Sequence, residues 1–240
     1  MRVLSWNVNH RAARRRIPAW IAGGIGAHNP DVVILTEYVV GPDHDRLLAD
    51  LHALDLAHVS VSDRVSRQNQ LLIATREPHR RGETVAPTDH PAIPPNALHV
   101  VLADSGLHVV GFRMPAFEGK ERPLKRLTWE WLVRVAGDLL DKPAVIAGDF
   151  NTAVGDPVST CGDCMDALTN EGWQLMHPPT GYSWQHSKSG TGRKIDHAFL
   201  SPALAPVRAE YNWNFHELSP DAASGKVGVP DHAMVIADFK

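Results

Sequence analysis

An α+β fold, with two sheets packed face to face and helices outside, is what the sequence predicts. Short apolar runs bounded by Gly, Pro, Asn or Asp recur along the whole chain, as strands do. Apolar stripes at helix spacing appear in few places, and no repeat or long linker splits the 240 residues. Residues 1–240 are therefore expected to form one domain.

The strand candidates, in order, are Val3 to Val8, Asp31 to Thr36, Gln70 to Thr75, Leu98 to Ala103 and Leu107 to Phe112. Pro143 to Ala147, Lys194 to Leu200, Val207 to Trp213 and His232 to Phe239 follow. Continuously apolar stretches such as Val32-Val33-Ile34-Leu35 predict burial on both faces. Ile17, Trp20 and Ile21 suggest a first helix, with Pro18 setting its opening turn. Leu47, Leu48, Leu51 and Leu54 mark a second, whose outer face carries Asp43, Asp45, Asp50 and Asp55. Leu124, Leu127, Trp131, Val135 and Leu139 give a longer core-facing stripe from Pro123 to Leu140.

Composition narrows the function classes. With 24 Lys+Arg against 27 Asp+Glu, 43% hydrophobic and 21% charged residues, disorder and collagen are excluded. A net charge of −3 means that any polyanion must meet local basic patches. No apolar run approaches the roughly 20 residues of a membrane-spanning helix. The opening Met1 to His10 runs straight into strand-like alternation without a signal-peptide core. Cys161 and Cys164 cannot build a disulfide framework, so a cytoplasmic monomer without a membrane partner is expected. The two thiols are read in a loop, as a free or redox-sensitive dithiol or, with a residue such as His177, a zinc site.

Polar residues concentrate at strand ends. Asn7 and Asn9 end the first strand and Glu37 the second, while Ala144 to Ala147 runs into Gly148-Asp149-Phe150-Asn151. Lys194-Ile195-Asp196-His197 and Pro230-Asp231-His232 open later strands. Singly, each is an ordinary turn or cap residue. Jointly, at one edge of the sandwich, these carboxylates, carboxamides and histidine would repel one another without a hard cation. Oxygen ligands without thiolates favour Mg²⁺, with Mn²⁺ as the alternative.

Trp6-Asn7-Val8-Asn9, Thr36-Glu37, Gly148-Asp149-Phe150-Asn151, Ile195-Asp196-His197 and Asp231-His232, in this order, resemble the motifs of the endonuclease/exonuclease/phosphatase superfamily. The resemblance implies a four-layer α/β/β/α sandwich of two mainly antiparallel sheets, and metal-dependent hydrolysis of a phosphate ester. Gly181-Tyr182-Ser183-Trp184 followed by Gly192-Arg193-Lys194-Ile195-Asp196 is similar to the exonuclease III and abasic-endonuclease branch. That branch usually has Trp where Arg193 stands, Asp where Asn9 stands, and Ser or Thr where Pro230 stands. Near Phe112-Arg113 it usually has a Tyr or His that meets the phosphate. These departures bear on abasic-site selectivity more than on hydrolysis.

Carried over residue by residue, the resemblance makes Glu37 the principal metal ligand, helped by Asn7, Asp231 and Asn9. Asp149 orients and deprotonates the attacking water, with Asn151 holding its geometry. His232, oriented by Asp196, donates to a phosphate oxygen. Arg113 is either a phosphate clamp or a surface arginine.

Basic residues gather in loops expected to border the site: Arg11, Arg14, Arg15 and Arg16, then Lys120, Arg122, Lys125 and Arg126, then Lys188, Arg193 and Lys194. A segregated basic face suits a polyanion, so Lys125, Arg126 and Arg193 are candidate substrate contacts. Trp184 either stacks on a base or sugar or belongs to the core. The leading expectation is a Mg²⁺-dependent hydrolase of DNA phosphodiesters, endonuclease or exonuclease, with water as nucleophile. The alternative is a phosphatase or phosphodiesterase for a small or lipid-headgroup ester.

Overall fold

The computed structural model describes residues 1–9, 16–64, 69–84, 96–116, 122–186, 189–215 and 230–240. Strand β1 (Arg2–Asn7) leads through helix α1 (Trp20–Gly26) to β2 (Val32–Tyr38). Helix α2 (His44–His52) precedes β3 (His58–Val61), β4 (Gln70–Thr75), β5 (His79–Arg81), β6 (Ala97–Leu102) and β7 (His108–Arg113). Helix α3 (Arg122–Leu139) joins β7 to β8 (Ala144–Asp149), and α4 (Gly162–Asn170) leads to β9 (Gln174–Leu175). A short ribbon of β10 (Trp184–Gln185) and β11 (Gly192–Arg193) comes before β12 (Asp196–Leu200), β13 (Pro206–Asn212) and β14 (Met234–Phe239).

Two six-stranded sheets result, in the orders β13-β14-β1-β2-β4-β3 and β5-β6-β7-β8-β12-β9. Pairing is antiparallel except for β1 with β2 and β7 with β8. Each parallel pair is spanned by a helical crossover, α1 in the first sheet and α3 in the second. The sheets face each other over Val3, Ile34, Ile73, Val100, Val109, Val145, Ala198 and Val235. On the outer side of the first sheet, Leu4, Trp6, Val33 and Leu35 pack with Ile21, Leu47 and Leu51 of α1 and α2. On the outer side of the second, Val110, Phe112, Ile146 and Phe199 pack with Trp129, Leu132 and Leu168 of α3 and α4. The architecture is the expected four-layer α/β/β/α sandwich, with one parallel pair in each sheet.

Local detail departs from the sequence reading in three places. Of the expected stripe, Trp131, Val135 and Leu139 are buried, but Leu127 is 46% exposed and Leu124 half-buried; in that first part α3 buries Lys125, Thr128 and Trp129 instead. Strands β3, β5, β9, β10 and β11 are extra; their residues are half-buried or exposed, and so lack the apolar run that marks a central strand. Cys161 and Cys164 do not lie in an open loop. They bracket the first turn of α4, both buried, in a helix whose apolar face is only Cys164, Met165 and Leu168. No described helix is long and apolar enough to cross a membrane.

Two glycines set how closely backbones approach. A Cβ on Gly111 would stand 2.9 Å from Ile34 Cγ2 of the facing sheet. Gly148, immediately before Asp149, has φ +155, and a Cβ there would lie 1.7 Å from the Phe112 carbonyl oxygen of the neighbouring strand. Only glycine lets β8 run at this separation while turning its last residue inward. Gly148→Ala is therefore expected to destabilise the fold by about 3 kcal/mol or more in chemical denaturation. A loss below about 1 kcal/mol would contradict the close backbone approach.

Candidate active site

Strand alternation places the site. In β1, Leu4 and Trp6 face the helices, so Val3, Ser5 and Asn7 face the opposite sheet. The same parity turns Thr36 of β2, Arg113 of β7, Asp149 of β8 and Asp196 of β12 into the space between the sheets. All stand at the carboxyl ends of the parallel strands, or at the antiparallel start of β12 beside them, so the apolar inter-sheet layer ends in a polar one. Ligand sites in α/β sheets favour these strand ends. In the second sheet the register is unbroken across three strands, with Arg113 paired to Asp149 and Asp149 to Asp196.

Asp149 is the centre of the cluster and is 1% exposed. Its Oδ2 accepts from Asn7 Nδ2 at 3.1 Å and Asn151 Nδ2 at 3.0 Å, and its Oδ1 from the Asn151 backbone N–H at 3.0 Å. Asn151 sits at φ +47, in the left-handed region, and also donates to the Met114 carbonyl at 2.8 Å. Beside it, Asp196 Oδ2 accepts from His232 Nδ1 at 2.7 Å, both residues being buried. His232 Nε2 is 3.5 Å from Asn7 Nδ2. One candidate ligand atom from each of Asp149, Asp196 and His232 lies within 4.8 Å of the others.

Glu37 reaches the cluster from the first sheet through a bulge. Leu35 pairs with Leu72 and Tyr38 with Gln70, so Thr36 and Glu37 together oppose a single residue of β4. The extra residue moves Tyr38 onto the helix-facing side with Val33 and Leu35, and frees Glu37, at φ +54, to leave the strand's alternation. Asn9, Glu37 and Asn151 all have positive φ, a conformation that costs a non-glycine residue of order 1 kcal/mol and concentrates at functional sites. Arg113 is not a surface arginine: its side chain is 17% exposed, its Nε donates to Glu37 Oε1 at 2.9 Å, and its Nη2 lies 2.6 Å from the same oxygen. Its Nε lies 3.9 Å from Asp149 Oδ2.

Not every candidate joins this group. Asn9 and Asp231 stand at the rim, hydrogen-bonded to each other at 3.3 Å, with Asp231 exposed. Lys125 is no surface cation: it is 6% exposed, and its Nζ donates to the Asn151 carbonyl at 2.7 Å, bracing the turn that holds Asp149. Arg126 is drawn to both oxygens of Asp163 at 2.6 and 2.9 Å, and Arg193 to both oxygens of Asp156 at 2.6 and 2.7 Å. Trp184 is half-buried, edge-on to His186. Arg11, Arg14, Arg15, Lys120 and Lys188 lie outside the described residues. The sequence reading missed Ser183, a fully buried hydroxyl that accepts from the backbone N–H groups of Ile195 and Asp196 at 2.8 and 2.9 Å. It also missed the Trp6 indole, which donates to the His232 carbonyl at 3.0 Å.

The electrostatics follow from burial and pairing. Burial first, and the Asp196 carboxylate second, raise the Asp149 carboxyl to about 7. Burial alone would lower His232, but the adjoining Asp196 outweighs it and the imidazole is held charged up to about 10. Lys125 is lowered by burial. The oxygen donors Glu37 and Asn7 suit a hard divalent cation. The 2.7 Å contact already engages Asp196 with His232, which leaves that pair better suited to proton and phosphate contacts.

Without a divalent cation, Asp149 binds its proton more tightly in the folded chain than in the unfolded one, rising from 3.8 to about 7. The associated stability is complete below the unfolded value and is lost as pH climbs through the folded one. In chelator, Asp149→Asn should match the wild type at roughly pH 4 and exceed it by about 2 kcal/mol or more above roughly pH 7. A gap that stays constant with pH would contradict the burial of an unrelieved carboxylate.

No curated protein matches the chain. Among solved structures, the 3′ phosphatase NExo from Neisseria bound to product DNA hairpin superposes at TM-score 0.74 and 19% identity, over 100% of this chain and 99% of that one. An AP endonuclease from Archaeoglobus fulgidus gives TM-score 0.74 and 17% identity, over 100% and 99%. An endonuclease/exonuclease/phosphatase from Beutenbergia cavernae gives 0.72 and 21%, over 100% and 71%. At these identities the likeness speaks for the fold. The sequence profile of the Endonuclease/Exonuclease/phosphatase family matches residues 4–224, which take in the second sheet, the first sheet apart from β14, and every residue of the buried cluster except His232. The chain belongs to that family.

Proposed function

We propose that the protein is a Mg²⁺-dependent phosphodiester hydrolase, with Mn²⁺ as an alternative cation, that acts as a monomer on DNA. The observation that carries this reading is the buried Asp149 carboxylate, fixed by Asn7 and Asn151 beside the Asp196–His232 pair. When bound at Glu37 and Asn7, the cation would polarise the phosphate and neutralise the leaving oxygen. Asp149, held by two carboxamides, accepts the proton of the attacking water as its oxygen bonds to phosphorus and the ester bond breaks. His232, charged through its contact with Asp196, donates from Nε2 to a non-bridging oxygen and stabilises the added negative charge. Asn151 and Lys125 keep Asp149 in register.

Nucleic acid is favoured as the partner by the family and by the DNA-bound neighbour from Neisseria. The small-ester alternative draws on a specific feature, since Lys125, Arg126 and Arg193 are all engaged within the protein. Phosphate contacts along a strand would then fall to the arginines at 11, 14 and 15 and to Lys120. Replacing Arg14 and Arg15 by Ala is expected to reduce the salt dependence of DNA binding, the log–log slope becoming shallower by about 0.9 for each phosphate left without its arginine.

Turnover of abasic duplex, single-stranded DNA and a small phosphodiester, each with Mg²⁺ and with chelator, tests the proposal. DNA cleavage that chelator abolishes is expected. Asp149→Asn and His232→Ala should each lower turnover about 10²-fold or more while DNA binding persists. Efficient hydrolysis of the small ester with negligible DNA affinity at low salt would replace the nuclease reading by the phosphatase one. Full activity in chelator would defeat both.

A further inference from the structure

We propose that Arg113 couples cation binding to phosphate binding: its guanidinium holds Glu37 until a phosphate draws it away, so that each ligand strengthens the other. The inference rests on Glu37 being a cation ligand, as read above. Arg113 pairs in register with Asp149 and contacts Glu37 from the facing sheet, so one permanent cation stands between the carboxylate assigned to a divalent cation and the carboxylate assigned to the attacking water. A guanidinium and a divalent cation sharing Glu37 repel, in a site where both side chains are less than one-fifth exposed and screening by water is weak. Occupancy by one disfavours the other.

The contact is also built to be exchanged. Both nitrogens, Nε and Nη2, converge on the single oxygen Oε1, rather than forming the parallel two-oxygen fork in which arginine binds carboxylates most strongly. A phosphate presents that fork. On the same inner face, Asn96 receives the Arg113 backbone N–H on its carbonyl at 2.9 Å. Its side-chain amide, 2% exposed, has neither polar atom paired, and so offers an acceptor to a guanidinium that swings off Glu37. The Tyr or His usual at this place in the branch that the sequence resembles would not impose a fixed positive charge, so the coupling is specific to an arginine here. Because linkage is reciprocal, a phosphate that takes Arg113 raises cation affinity by the same factor as the cation raises phosphate affinity.

Calorimetric titration of Mn²⁺ into the intact protein, with and without inorganic phosphate, tests this without relying on turnover. Arg113→Gln should bind Mn²⁺ at least about fivefold more tightly than the wild type without phosphate, and phosphate should narrow that gap. Arg113→Lys, which keeps the charge, should stay nearer the wild type, and Arg113→Tyr supplies the same comparison if the Gln variant does not fold. A gap below about fivefold without phosphate, or one that phosphate leaves unchanged, overturns the coupling. Glu37→Gln separates the two readings. If it weakens Mn²⁺ binding while Arg113→Gln has no effect, only the coupling fails. If it leaves Mn²⁺ affinity unchanged, Glu37 is not a ligand and the coupling falls with that assignment.

Discussion

Asp149 and Asp196 face each other across β8 and β12, inside the sandwich, where water cannot screen them. Like charges directly opposite on neighbouring strands destabilise a sheet, and burial compounds the penalty. Several polar residues nearby answer this constraint, while Glu37 adds to it. His232 supplies a positive charge to Asp196 at 2.7 Å, and Arg113 flanks Asp149 on the other side. Asn7 and Asn151 donate to Asp149 without adding charge. Even so, Asp149 is left with a carboxyl held near neutral pH, a state that suits a proton acceptor and that a divalent cation would relieve.

The fold delivers these groups to one place by simple means. Parallel pairs spanned by helices put the carboxyl ends of β1, β2, β7 and β8 at the same end of the sandwich. Antiparallel neighbours then bring the start of β12 and the residues before β14 to that end. A bulge in β2 and a glycine at the end of β8 correct the aim of Glu37 and Asp149. Strain at Asn9, Glu37 and Asn151 is tolerated because hydrogen bonds such as Lys125 to the Asn151 carbonyl oppose it.

Much of this was legible in the sequence, because central strands are continuously apolar and end abruptly in polar residues. Asn7, Glu37, Asp149, Asn151, Asp196 and His232 stood out as such endings, and the structure gathers them. What could not be read was the state of each cation. Lys125 and Arg126 are adjacent and look equally available, yet one is buried against a carbonyl and the other is paired with Asp163. Their fates depend on where each falls in the first turns of α3, and there Leu127 misleads by matching the apolar period while facing solvent. Ser183 was hidden for a different reason, since a serine in a Gly-Tyr-Ser-Trp stretch carries no sign that its hydroxyl will hold the start of β12. The edge strands and α4 lack the apolar density that marks their central counterparts.

The proposed chemistry turns on His232 being an imidazolium under working conditions, stabilised by Asp196 within a buried acidic cluster. Nitrogen-15 NMR of the His232 ring across a pH titration, in chelator, measures this directly. Both ring nitrogens should remain protonated beyond neutral pH and titrate toward about 10. Asp196→Asn should bring the transition down to below the ordinary value of 6.5, as burial takes over. A wild-type ring that loses its proton at or below 6.5 would contradict the central claim.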